Sequence, residues 1–116
     1  MAVPAQTALS SSTSGKPIPV AATSTPGTNL HTAGATGYDK VWLFASNVTA
    51  AAATLTIEWG GVTDPGDHLI KGYSIPANSG LIPIATGMFI DGGLSIKAFS
   101  GTASAINITG YAIAVR

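Results

Sequence analysis

The chain has 116 residues, five Lys or Arg against five Asp or Glu, and no cysteine. That length suits one two-layer core, the scattered Lys16, Lys40, Lys71, Lys97 and Arg116 make no basic patch for nucleic acid, and without thiols there are no disulfides, thiolate metal sites or cysteine nucleophile. With 46% hydrophobic residues and zero formal net charge, the surface lacks the repulsion that keeps monomers apart, which predicts assembly with neighbours.

The beginning of the chain has no basic start followed by an apolar run and does not read as a secretory signal. Residues 1–37 are dense in Ser, Thr, Ala, Pro and Gly, with Leu9, Ile18, Val20 and Leu30 as isolated apolar points. This is too little to bury a core of its own, and it predicts an extended arm over 1–37, of which 1–28 are dispensable for folding, followed by a sandwich domain over 38–116. Leu9, Ile18, Val20 and Leu30 are then the residues expected to anchor the arm on a partner. Pro17 and Pro19 favour extended backbone and withhold two amide donors, so residues 16–25 fit an edge strand or an arm and not a central strand.

From Tyr38 onward the pattern is β. Residues 39–47 alternate Val41, Leu43 and Ala45 with Trp42, Phe44 and Ser46; both faces are apolar, so both are expected to be covered. Residues 48–53 are too few for a stable helix and predict a loop. The hydrophobic stretch 41–57 is broken by Ser46, Asn47, Thr49, Thr54 and Thr56 and predicts two strands and a turn, not a membrane span. Residues 54–59 place Leu55, Ile57 and Trp59 inward and Thr54, Thr56 and Glu58 outward. A loop over 60–67 leads to a strand over 68–75, Pro83 puts a short strand 81–84 at an edge or bulge, and Gly92 and Gly93 introduce a strand over 94–100. At the end, Ile106 and Ile108 share one phase of the two-residue period and Tyr111, Ile113 and Val115 the other, which predicts a β-bulge at Gly110. Seven or eight short strands and no helix predict an all-β antiparallel β-sandwich or jelly roll.

Chemistry-bearing clusters are few. Asp64, Asp67 and His68 share a loop that could offer oxygens to a hard cation, but Asp, Pro and Gly are also what turns select, and no metal site is expected. His31 and His68 have no ligand spacing around them. Glu58 is the only glutamate, so paired-carboxylate chemistry has no obvious second member. No nucleophile elbow or phosphate loop occurs, so neither catalysis nor a cofactor is expected. Asn47-Val48-Thr49 and Asn107-Ile108-Thr109 match a glycosylation pattern and read as ordinary strand or turn residues. Trp42, Trp59, Tyr38, Tyr73 and Tyr111 could line a sugar-binding face, although alternation assigns most of them to packing.

Trp59-Gly60-Gly61-Val62, Ser74-Ile75-Pro76 with Ser79-Gly80-Leu81, Phe89-Ile90-Asp91-Gly92-Gly93-Leu94 and the ending Ile106-Asn107-Ile108-Thr109-Gly110-Tyr111 resemble small structural proteins of tailed bacteriophage virions, notably capsid decoration or cement proteins. The resemblance covers about two thirds of the chain. It implies a virion location after assembly in the bacterial host cytoplasm, and a β-sandwich subunit bound to the major capsid protein or other virion subunits. It also implies a homotrimer with an arm on its neighbours, and no nucleic-acid or membrane partner. A fibre, spike or tail component recognising the host surface, or a carbohydrate-binding β-sandwich module, are the alternatives.

Overall fold

A computed structural model describes residues 4–116. Nine strands follow in chain order: β1 (Pro4–Ala8), β2 (Ile18–Pro19), β3 (Thr28–Thr32), β4 (Tyr38–Asn47), β5 (Ala53–Trp59), β6 (His68–Ile75), β7 (Ile82–Asp91), β8 (Ser95–Ser100) and β9 (Ile106–Val115). There is no helix among the described residues. Sheet A runs β1-β9-β4-β7, with β2 also paired to β9; sheet B runs β3-β8-β5-β6. All pairs are antiparallel.

Taking β1 and β2 as one interrupted strand leaves eight, which pair from the outside inward: first with last (β1 with β9), β3 with β8, β4 with β7, and β5 with β6. Rolling this ladder of pairs so that β9 meets β4 and β8 meets β5 gives two four-stranded layers, the jelly roll. Because the first strand pairs with the last, most contacts join distant parts of the chain, and no continuous piece carries the core alone.

The alternation read in β4 holds. Val41, Leu43 and Ala45 are fully buried between the layers, while Trp42, Phe44 and Ser46 face outward and are half-buried. In β5, Leu55 and Ile57 are fully buried, and Trp59 is half-buried against the core with its indole N–H donating to the Phe89 carbonyl at 3.2 Å, so that it ties sheet B to the end of sheet A.

Three expectations are corrected. The segment 1–37 is not an arm apart from the sandwich: its described part supplies β1, β2 and β3, and Leu9, Ile18, Val20 and Leu30 lie in the chain's own core. Its apolar points are too few for a separate core but fill places in a shared one, each delivered by a short edge strand or by the loop beside it. The two-residue β2 carries Pro19 at the sheet edge, where a missing amide is tolerated.

The bulge at Gly110 is absent, because β9 pairs with β4 in unbroken register from Ile106 to Val115. The inward phase continues through small residues, Ala112 and Ala114, and the larger Tyr111, Ile113 and Val115 point outward. Finally, the short strand 81–84 is the start of the ten-residue β7. Its register against β4 shifts twice, between Val41 and Trp42 and between Leu43 and Phe44, and those irregularities hide the alternation from a sequence reading. Pro83 does lie on an edge strand.

Candidate functional site

The outer face of sheet A is built by simple alternation. On β4 it presents Tyr38, Lys40, Trp42, Phe44 and Ser46; the register sets Val115, Ile113, Tyr111, Thr109 and Asn107 beside them on β9. On the flanks lie Pro4, Gln6 and Ala8 of β1 and Phe89 and Asp91 of β7. Trp42 and Tyr111, directly opposite in the ladder, stack with ring centroids 4.9 Å apart and planes within 8°. Tyr38 and Phe89 stack at 4.9 Å near the end of the same face, and Phe89 remains 55% exposed.

Two glycines make room for this surface. A Cβ on Gly110 would collide with the Trp42 carbonyl of the neighbouring strand, so only glycine lets β9 and β4 close at this rung. Gly87 has φ +79, and a Cβ there would meet the Trp42 ring at 3.0 Å. The face therefore carries large apolar groups on its solvent side, while the buried inner positions mix small residues, Ala45, Ala85, Ala112 and Ala114, with the larger Val41, Leu43, Ile106 and Ile108. Solvent-facing positions of antiparallel sheets are ordinarily polar. Beside Tyr111 there is a hollow of about 420 Å³ lined by Gln6, Thr7, Ala8, Gly15 and Gly110.

The outer face of sheet B is finished differently. Thr56 and Glu58, read as outward and solvated, are 4% and 0% exposed. The segment after β2 lies over Glu58: the Thr25 hydroxyl and the Gly27 amide donate to its carboxylate at 2.6 and 2.7 Å, and the Ser100 amide donates to the Ala22 carbonyl, while the Thr56 hydroxyl accepts from the Gly72 amide of β6 at 3.0 Å. Glu58 is a fastening for its own chain, with no second carboxylate on it.

His31, Asp39 and Ser10 resemble a nucleophilic triad by type, but the geometry differs. The Ser10 amide, not its hydroxyl, donates to His31 Nδ1 at 3.0 Å, and the hydroxyl accepts from the Thr32 amide at 2.7 Å. With Nδ1 accepting, Nε2 carries the proton and donates to Asp39 Oδ2 at 2.6 Å. Arg116 donates to the other carboxylate oxygen at 2.7 Å. Burial would raise the Asp39 carboxyl, but the hydrogen bonds from His31 and Arg116 and the Arg116 charge outweigh it and hold the group below the usual carboxylate range. The cluster joins the β1–β2 loop, β3, β4 and the last residue, and its imidazole is 4% exposed, closed to a substrate.

In the 64–68 loop, Lys71 donates to both oxygens of Asp64, at 2.8 and 3.0 Å, and lowers its carboxyl from the ordinary value. Asp67 accepts from the Thr63 amide at 3.0 Å. Among the described residues no group of three potential ligands surrounds a metal position. Asn47 is buried and organises the loop 48–52, donating to the Ala51 and Ile75 carbonyls and accepting from Thr49. Asn107 is half-buried on β9 between Ser46 and Pro19.

The candidate anchors Leu9, Ile18, Val20 and Leu30 are thus core residues, and the aromatics Tyr38, Trp42 and Tyr111 are the ones the fold gathers on one surface. Tyr73 lies apart, on edge strand β6, and Trp59 between the layers. The signal that could have found the face was in β9, where Tyr111, Ile113 and Val115 alternate with alanines. Comparison with family models, with curated proteins and with solved structures finds no match.

Proposed function

We propose that this chain is a structural subunit of a tailed-phage virion, a capsid decoration or cement protein that holds to the major capsid protein or other virion subunits and catalyses nothing. The observation that carries the reading is the apolar outer face of sheet A, where Trp42, Phe44, Tyr111, Ile113 and Val115 stand at the outward positions of β4 and β9. Large apolar groups on an outer face contribute to stability only when something else covers them.

The jelly roll is used in capsid and lectin domains, and that analogy of fold supports the reading without fixing the chemistry. The near-absence of charge and the resemblance of four stretches of sequence to phage virion proteins point the same way. A subunit that binds only the assembled shell stabilises it by its binding free energy, repeated over many copies. The test is to add purified chain to shells that lack it: saturable binding and a raised shell melting temperature are expected, and shells that sediment without it refute the reading.

The hollow beside Tyr111 favours a second reading, a carbohydrate-binding module or host-recognising fibre part. An uncharged lining with one aromatic ring and the Gln6 amide suits a neutral sugar. Binding of the isolated chain to a glycan array, lost in Gln6→Ala, separates it from the first.

A further inference from the structure

We propose that the occupant of the outer face of sheet A is a second copy of this chain, docked sheet on sheet about a two-fold axis. The proposal rests on the structural reading above and names what covers the face.

Extent is the first argument. β4, β7 and β9 are each ten residues long and β1 with β2 runs along the far side of β9. Strands about 4.8 Å apart rising about 3.4 Å per residue give a face of roughly 650 Å² before side-chain relief is counted. A standard interface takes about 800 Å² from each partner, so one face is close to one interface.

Charge is the second. Lys40 and Asp91 are the charged residues at the outward positions of the β4, β7 and β9 ladder, of opposite sign and at the same end. A copy meets its twin without net repulsion, whereas a strongly acidic or basic partner would find nothing complementary here. Shape is the third: two sheets of identical twist pack face to face with their strands roughly aligned, and a twin supplies that twist by construction. The fourth is that sheet B is closed over Glu58 by the chain's own 22–27 segment, whereas no segment among the described residues covers sheet A in that way.

Two sheets meeting this way exclude a third copy, so the contact is isologous, in place of the trimer the sequence resemblance implies. The experiment is sedimentation equilibrium of the full chain from nanomolar to high micromolar concentration. A reversible dimer is expected, with its dissociation constant raised about a hundredfold or more by Ile113→Lys, which sets like charges across the pair. Tyr73→Lys, at an exposed position of edge strand β6, should leave the mass unchanged. Circular dichroism checks that Ile113→Lys is folded; Phe89→Lys, at an exposed position of the same face, repeats the test if it is not.

A monomer at every concentration, a trimer, or a dimer indifferent to both sheet A variants overturns the proposal. A monomer that still binds shells does so while leaving the virion reading intact and giving the face to another subunit. A dimer disrupted by Ile113→Lys that ignores shells upholds the pairing and removes the virion role.

Discussion

The sandwich has two outer faces, and among the described residues the chain lays a segment of its own over only one of them. On sheet B the buried Glu58 is closed over by the 22–27 segment, which gives its carboxylate two hydrogen bonds, and the buried Thr56 accepts from the Gly72 amide. On sheet A an apolar and aromatic surface is left with no described segment across it. A buried carboxylate without donors would cost several kcal/mol, so its cover must be part of the fold; half-exposed aromatic rings cost far less, so their cover can be a separate molecule. Intramolecular cover marks structure, and the face without it is the one proposed for interaction.

The heaviest blow to this contrast is removal of residues 1–28. It takes away β1, β2, the first residue of β3, the core residues Leu9, Ile18 and Val20, and the donors of Thr25 and Gly27 to Glu58. The truncated chain is expected to show no cooperative unfolding transition by circular dichroism. A near-native melting curve would restore the segment to the status of a dispensable arm.

Neighbouring residues on opposite faces sharpen it further. Leu43, fully buried between the layers, should lose about 2–5 kcal/mol on truncation to Ala. Phe44, on the outer face and half-buried, should lose about 1 kcal/mol in dilute monomer, since only part of its area leaves water. Denaturant titration at low and high protein concentration checks both: equal costs would contradict the assignment of faces, and a Phe44→Ala cost that grows with concentration would tie that face to self-association.

Glu58→Ala tests the covered face alone. It strands the Gly27 amide and the Thr25 hydroxyl over sheet B, at an expected cost of about 2–3 kcal/mol, and amide exchange in residues 22–27 should accelerate. Unchanged exchange would mean that the segment is held by other contacts.

Much of this architecture was legible in the sequence and some was not, for physical reasons. The two-residue period was plain in β4, β5 and β8, because one face of each strand meets the core directly. It failed in β7, where two register shifts carry residues across faces, and in the second half of β9, where the inward positions are Gly110, Ala112 and Ala114 and the outward ones large. Hydrophobicity assigns such a strand backwards, and the supposed bulge at Gly110 was the product of that. The N-terminal third was misjudged because thin apolar content was weighed as if it had to support a core alone, whereas Leu9, Val20 and Leu30 close a core that β4, β5, β8 and β9 build. Of the polar centres, neither the Glu58 fastening nor the His31–Asp39–Arg116 cluster could be seen, since their members are 31–33 and 8–77 residues apart in the chain.

That cluster gives the fold an acid limit. Asp39 titrates below its ordinary range in the folded chain, so it contributes stability that is complete above the unfolded carboxylate value and is lost as pH falls through the folded one. Stability should therefore decline below about pH 4. Asp39→Asn should cost about 2 kcal/mol at neutral pH, because a donor from His31 or Arg116 loses its charged acceptor. It should also flatten the acid limb. An acid limb as steep in the variant as in the parent would assign it to other carboxyls.

The smallest expected effect is at His68, next to the loop that most resembles a metal site. Both ring nitrogens are buried and, among the described residues, make no hydrogen bond; Asp64 Oδ1 stands 3.6 Å from Nδ1, beyond bonding reach, and is held by Lys71 instead. The ring sits edge-on to Phe99 with centroids 6.2 Å apart. Replacing an unsatisfied buried polar ring by an apolar one of similar shape removes a desolvation cost, so His68→Phe should be neutral or stabilising by up to about 1 kcal/mol. Chelation of the parent protein should leave its melting temperature unchanged. A loss above 1 kcal/mol in His68→Phe, together with a fall in melting temperature on adding EDTA, would show that those nitrogens hold a cation with Asp64, and the covered side of the molecule would then contain a site after all.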